Sequence, residues 1–326
     1  MNYRQFGSTE LYVSEIGFGA WGIGGAAMAG DIPIGWGETD DAVSKSALIK
    51  ALDLGVNFFD TADFYGLGHS EELIGKVSKG RKDIIIATKV GHKISPEGIA
   101  TDYSGKHIIS SCEASLKRLK RNHIDFYQLH SANMNDLNNG ECIEAMSKLM
   151  SQGKIRYWGI SLNTFDPFPE AEYFMEHEIG HGFQLVLSII NQRSLPLLQR
   201  ASEKGYGIIA RMALHFGLLT GKFSEDTKFK RNDHRSFRLT EEIISALNPH
   251  LNKIWELCDY YEITKTGLAL SFPLSYPEVS TVIPGIKTPE QIEMNTSKIV
   301  RLNSEDLSFL ENYFLHHLDG IVDKMK

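Results

Sequence analysis

Cysteine is scarce in this chain: Cys112, Cys142 and Cys258 lie far apart, and no two form a C-x-x-C pair. An odd, scattered set excludes a disulfide framework and a cysteine zinc site, and it fits a reducing compartment. Long apolar runs are also missing. No stretch approaches the ~18 residues of a membrane span, and residues 1–6 carry no apolar signal core, so a cytoplasmic protein with no membrane partner is expected. There is no basic excess: 34 lysines and arginines face 41 acids, a formal charge of −7, which argues against nucleic acid as a partner. No low-complexity tract, short repeat or Pro/Ser-rich linker divides the 326 residues, and 42% of them are AVILMFWYC. A chain of this length buries about 75% of its unfolded surface, which excludes disorder and small disulfide scaffolds.

What recurs is an alternation. Short β-prone runs occur at residues 16–21, 57–60, 83–90, 124–130, 156–161, 183–188, 207–212 and 279–285. Segments of helical period separate them, such as 42–54 with Val43, Ala47, Leu48, Ala51 and Leu54 apolar, and 107–119 with Ile108, Ile109, Cys112, Leu116 and Leu119. Strands joined through helices pair in parallel with right-handed crossovers, and eight of them close into a (β/α)8 barrel. An open doubly wound sheet is the rival. Asp60, Lys89, His130, Ser161 and Arg211 each stand at or near the C-terminal end of a different run. A barrel gathers those ends at one mouth, which favours it. The expected organisation is one domain over 1–326, with a hairpin in 1–15 closing the barrel's bottom and a helical segment at 296–326.

Two motifs match catalytic signatures by letter only. Gly17-Phe18-Gly19-Ala20-Trp21-Gly22 fits the dinucleotide pattern G-x-G-x-x-G, but that motif needs a helix to start at its glycines and an acid about 20 residues on. Here a glycine-rich stretch runs to Gly37, and Asp60 lies much further along; a mobile loop at the mouth beside Trp21 is expected instead. His177-Glu178-Ile179-Gly180-His181 fits the zinc motif H-E-x-x-H, whose histidines must share one face of a continuous helix. Gly180 and Gly182 mark a helix end there. A zinc metallopeptidase is kept only as a second alternative, with no metal expected.

Asp60, Tyr65, Lys89 and His130 are more informative. Singly, each has an ordinary structural use. Together they offer a phenol, an ammonium, a carboxylate and an imidazole on three successive strand ends. A phenol with pKa near 10 is a poor acid at neutral pH, and a nearby ammonium lowers that value by favouring the phenolate. Lys89 would supply the charge and Asp60 would hold the lysine. His130 would orient a carbonyl oxygen that Tyr65 protonates as hydride reaches the carbon.

The segments 58–66 (FFDTADFYG), 87–91 (ATKVG), 125–130 (DFYQLH) and 159–161 (GIS) resemble, in order and spacing, the signature blocks of the aldo-keto reductases. The likeness to the family's bacterial and channel β-subunit branches runs from Phe6 to Asn295. It implies a barrel that holds extended NADP(H) across its mouth, with Tyr65 as general acid, Lys89 and Asp60 as its tuners and His130 at the carbonyl. It further implies Ala20, Trp21, Asp60, Ser161, Asn163 and Gln184 at the nicotinamide end. Arg211, Met212, Leu214, Gly217 and Lys222 follow along the pyrophosphate, with Arg235 nearby, and Gly285, Lys287, Gln291 and Asn295 at the adenosine end. Three departures stand out: Leu162 replaces a frequent asparagine, Met212-Ala213 replaces Ser-Pro, and Gln291 stands where many relatives carry an arginine. The last weakens the preference for NADP(H) and leaves NAD(H) open. Trp21, Phe64, Tyr65 and His130, with Trp158, are expected to line a substrate pocket for an aldehyde or ketone, including sugar-like carbonyl compounds, under the 24–37 and 216–237 segments. The non-enzymatic alternative is a cofactor-binding regulatory subunit of the same fold; the intact four-residue set and the lack of a long N-terminal extension favour the enzyme.

Overall fold

The computed structural model describes every residue except Glu97, Glu225, Asn232 and Lys326. Eight parallel strands lie side by side in chain order: Phe18–Gly19, Phe58–Asp60, Ile85–Val90, Ile124–His130, Ile155–Ser161, Gly182–Val186, Gly207–Arg211 and Val279–Ile283. Bridges from Ile16 to Val282 and from Gly19 to Gly285 join the first strand to the eighth, and the Gly17 amide donates to the Val282 carbonyl at 2.8 Å. The sheet is thereby a closed barrel. All eight expected runs are strands, trimmed by a few residues where a run leaves the sheet. The first shrinks most, because Ala20–Gly24 turns into a 3-10 helix.

Helices pack around the outside. Asp41–Asp53 begins where the Asp40 carboxylate accepts from the Ala42 and Val43 amides, and Gly105–Leu119 begins where the Ser104 hydroxyl accepts from His107. Within each strand the side chains alternate. Along Ile85–Val90, Ile85 and Ala87 point into the barrel with Lys89, while Ile86 and Val90 join the outer core beneath the helices. The same phase sends Phe126, Gln128 and His130 inward and Tyr127 and Leu129 outward.

The N-terminal hairpin, Tyr3–Gln5 paired with Tyr12–Ser14, closes the bottom as expected. Phe6 is fully buried, with its ring edge-on to Phe126 at 4.9 Å and packed with Phe58, Ile85 and Ile209. Gly207 permits this seal, since a Cβ there would lie 2.5 Å from the Phe6 ring. The inner layers therefore run from apolar at the bottom to polar at the strand ends.

The stretch from Gly24 to Gly37, read as a loop, contains a small hairpin of Met28–Ala29 with Ile32–Pro33. A second hairpin, His92–Ser95 with Gly98–Thr101, rises from the third barrel strand and meets it: a Cβ on Gly98 would stand 3.7 Å from the Ala29 carbonyl. After the barrel come the helix Ser304–Tyr313 and a short tail. The tail is tied back by Arg193, whose guanidinium pairs with Asp319 at 2.6 Å and Asp323 at 3.0 Å. No helix among the described residues is long and apolar enough to cross a membrane.

Candidate active site

Because residues two apart share a face, Asp60, Lys89, Gln128 and Gln184 all point inward, from the second, third, fourth and sixth strands. The Lys89 ammonium, wholly buried, donates to the Asp60 carboxylate at 2.6 Å, to the Thr61 carbonyl at 2.8 Å and to the Tyr65 hydroxyl at 3.2 Å. The other Asp60 oxygen accepts from Gln184 at 2.7 Å and Gln128 at 3.1 Å. Every charge here has partners, which is what a buried ion pair needs to offset its desolvation.

Tyr65 follows the second strand on a 3-10 turn with Gly66 at φ 60°. The turn fits only because Gly24 and Gly66 meet backbone to backbone: a Cβ on Gly66 would lie 2.0 Å from the Gly24 carbonyl oxygen. The glycine-rich segment thus holds the tyrosine in place. Trp21 stacks on its ring at 5.9 Å, and His130 stands edge-on at 6.0 Å.

The electrostatics differ in one respect from expectation. Burial raises the Tyr65 phenol above its ordinary value and outweighs the Lys89 ammonium, which pulls the other way. Lys89 itself is held above its usual value: burial opposes its charge, but Asp60 and Tyr65 favour it more. His130 is pushed well below the imidazole range by burial, then by His92 and Lys89, so its ring is neutral. The resulting set is a protonated phenol, a fixed cation beneath it and an uncharged imidazole beside it.

Above these groups opens a cavity of about 560 Å³. Of the sequence-derived residues, Ala20, Trp21, Asp60, Phe64, Tyr65, His130, Ser161, Gln184, Arg211, Met212, Leu214, Gly217, Lys222, Arg235, Gly285, Lys287, Gln291 and Asn295 all line it. Lys89 lies just under its floor. Asn163 is not brought to it: the side chain faces solvent and accepts from the Phe165 and Asp166 amides at 2.8 and 3.2 Å, closing its own turn. Trp158 is also outside. Ser161 points inward, so the residue three before it points outward, and Trp158 packs on Phe174 under the helices at 5.4 Å. Both segments expected over the mouth supply lining, Ile34 and Trp36 from one and Phe216 and Phe223 from the other.

The zinc alternative fails on geometry. The helix Phe168–Glu176 stops before the motif, Glu178 and Gly180 have φ of 52° and 70°, and the two histidines share no helical face. His177 turns back to the Tyr173 carbonyl, 2.9 Å from Nδ1, while His181 packs beside Tyr157.

Sequence reasoning missed several lining residues. His92 stacks on His130, Trp36 and His234 flank Trp21, and Val322 and Met325 reach in from the tail. His92 had a signal, standing three residues beyond Lys89 where a strand ends. The tail residues had none.

The cavity's polar atoms fit a dinucleotide. The Asn295 amide nitrogen and the Arg211 Nε are buried without partners among the described residues. A Cβ on Gly285 would meet nothing within 4 Å, leaving an open cradle at the end of the eighth strand. Arg211 sits deeper than its place in the pyrophosphate segment suggests. Its guanidinium donates to the Leu162 carbonyl at 3.0 Å and Thr164 at 3.1 Å, close enough for its charge to act on Tyr65 and Asp60.

A closed barrel with a phenol over a buried ammonium at its strand ends, opening into such a cleft, defines a barrel oxidoreductase. Residues 15–313 match the aldo/keto reductase family, and the chain belongs to it. It is 32% identical to the aldo-keto reductase YhdN of Bacillus subtilis, covering 94% of this chain and 91% of that one. It is 31% identical to L-galactose dehydrogenase of Arabidopsis thaliana, over 99% and 95%. Among solved structures, the holo form of the aldo-keto reductase AKR11C1 from Bacillus halodurans superposes with a TM-score of 0.76 at 28% identity, covering 96% of both chains.

Proposed function

We propose that this protein is an NADP(H)-dependent reductase that converts an aldehyde or ketone, including sugar-like carbonyl compounds, to the alcohol, with Tyr65 as proton donor. The observation that carries this reading is the Lys89 ammonium placed between the Asp60 carboxylate at 2.6 Å and the Tyr65 hydroxyl at 3.2 Å, at the floor of the cavity. When bound, the reduced nicotinamide cofactor supplies the hydride. Tyr65 Oη gives its proton to the carbonyl oxygen, and the phenolate left behind is stabilised by Lys89, which Asp60 keeps charged and aimed. Neutral His130 donates to the same oxygen and orients it.

Ser161 and the Gln184 side-chain carbonyl would hold the carboxamide, since the Gln184 amide nitrogen is already committed to Asp60 and Gln128. Met212, Leu214, Gly217 and Lys222 would follow the pyrophosphate. At the adenosine end, burial and then the neighbouring Arg235 push the Lys287 ammonium below its ordinary value. Arg235 is itself paired with Asp233 at 2.6 Å, so a 2′-phosphate there would be met chiefly by Lys287, which supports NADP(H) over NAD(H).

Tyr65→Phe tests the reading through carbonyl-dependent NADPH oxidation. A loss of about 100-fold or more in kcat is expected. Comparable rates in variant and parent would remove Tyr65 as the acid. Tight NADPH binding with no turnover across a broad carbonyl panel would favour a regulatory subunit instead.

A further inference from the structure

We infer that His92 is a second substrate-binding imidazole, which takes the hydroxyl on the carbon next to the carbonyl and so selects α-hydroxy aldehydes and ketones. The inference rests on the reductase reading above and concerns the same cavity.

His92 opens the hairpin that leaves the third barrel strand, and its ring lies on that of His130 with centroids 4.1 Å apart and planes 24° from parallel. Phe64 closes the other side, edge-on at 5.5 Å. Ring edges stacked this way stand about as far apart as their planes. The two oxygens of an α-hydroxy carbonyl lie roughly 3 Å apart by ordinary bond lengths, so neighbouring imidazoles can each take one.

The chemistry of the groups agrees. A carbonyl oxygen needs a donor, whereas a hydroxyl needs a donor or an acceptor, and a neutral imidazole offers one of each. Burial, then Lys89 and Arg211, holds the His92 ring down to about 4, so it is uncharged. Among the described residues no ring nitrogen of His92 is hydrogen-bonded, and the Nδ1 of His130 is buried without a partner. Other polar groups nearby are already engaged: the Trp21 indole N–H donates to the Ile34 carbonyl at 2.9 Å, and the Tyr103 hydroxyl donates to the His130 carbonyl at 2.5 Å. Trp21, Ile34 and Phe64 then leave an apolar wall for the carbon chain. A plain aldehyde entering this pocket would leave the His92 nitrogens unpaired at the moment water is excluded, which is how a polar site rejects an analogue lacking one hydroxyl.

The test compares glyceraldehyde with propionaldehyde, which has the same carbon count and no hydroxyls, as NADPH oxidants. His92→Phe keeps a stacked ring on His130 and removes both nitrogens, while His92→Gln restores a donor and an acceptor. The ratio of kcat/KM for glyceraldehyde over propionaldehyde is expected to fall at least tenfold in His92→Phe and to recover in part in His92→Gln. A ratio unchanged in His92→Phe, or equal losses on both aldehydes, would overturn the assignment and leave His92 as a packing residue. If the parent oxidised NADPH with neither aldehyde nor any other carbonyl compound, the reductase reading itself would fall, and the assignment with it.

Discussion

Lys89 carries its charge into a place where water cannot follow, and the groups around it set the protonation of everything nearby. Tyr65 stays a phenol because burial outweighs the ammonium, and His130 stays neutral because burial and adjacent cations disfavour a second charge. A pH profile follows with a definite sign. On the proposed mechanism reduction needs Tyr65 protonated and His130 uncharged; the first holds until above the ordinary phenol value and the second until well below the ordinary imidazole value. The kcat/KM for reduction should therefore be flat between about pH 6 and about pH 9. A titration step near pH 6.5 that vanished in His130→Asn would show that the imidazole is not held neutral. The residue types of this cluster were legible in the sequence, since Asp60, Tyr65, Lys89 and His130 could be assigned roles by chemistry. The direction of the Tyr65 shift was not. It depends on how completely Trp21 and the glycine segment cover the ring, and that is a property of packing.

Strands and hairpins differ in how openly the sequence states them. A barrel strand is announced by an apolar run between helical segments, so all eight were readable. Trp158 shows that alternation was the better guide to orientation, because the inward phase of Ser161 already assigns the tryptophan to the outer layer. The first of the two hairpins over the mouth was invisible for a physical reason. Met28–Ala29 and Ile32–Pro33 have two residues each, too few to show a period, and their order comes from distant partners such as the Trp21 indole on the Ile34 carbonyl. Asn163 shows another limit. An asparagine can point into a cleft or cap its own turn, and only the backbone decides between them. The N-terminal hairpin is the clearest case of an element defined by one side chain. Phe6→Ala should cost about 3–5 kcal/mol in urea unfolding by leaving a cavity at the barrel's bottom, with KM for cofactor and carbonyl close to the parent's. A cost below about 1 kcal/mol would mean that the seal contributes little.

Taken whole, the molecule is acidic with a cationic mouth. The charge of −7 coexists with Lys222, Arg235, Arg238 and Lys287 around a single cavity, so the sign that matters to an anionic cofactor is local. Lys287→Met should reduce the ratio of NADPH to NADH affinity roughly tenfold or more, read from nicotinamide fluorescence on binding. An unchanged ratio would move the 2′-phosphate away from that lysine. The tail belongs to this scale as well. Arg238 donates to the Met325 carbonyl at 2.7 Å, and His215 meets the Met325 sulfur at 3.2 Å, so the last residues rest on segments that border the mouth. That arrangement joins parts of the chain about a hundred residues apart and leaves no local trace in composition or spacing.

The packed interior, from Phe6 up to Lys89, also governs traffic. A barrel stoppered below is a cul-de-sac, and everything that enters must back out through the same doorway. Ser161 and Gln184, each 1% exposed, lie at its far end, whereas His92 and Trp21 stand nearer the entrance. Whatever occupies the far end has to arrive before, and depart after, anything that sits nearer the entrance. The order in which the cleft fills and empties then follows from its having one open end, closed below by the buried layers on which Lys89 sits.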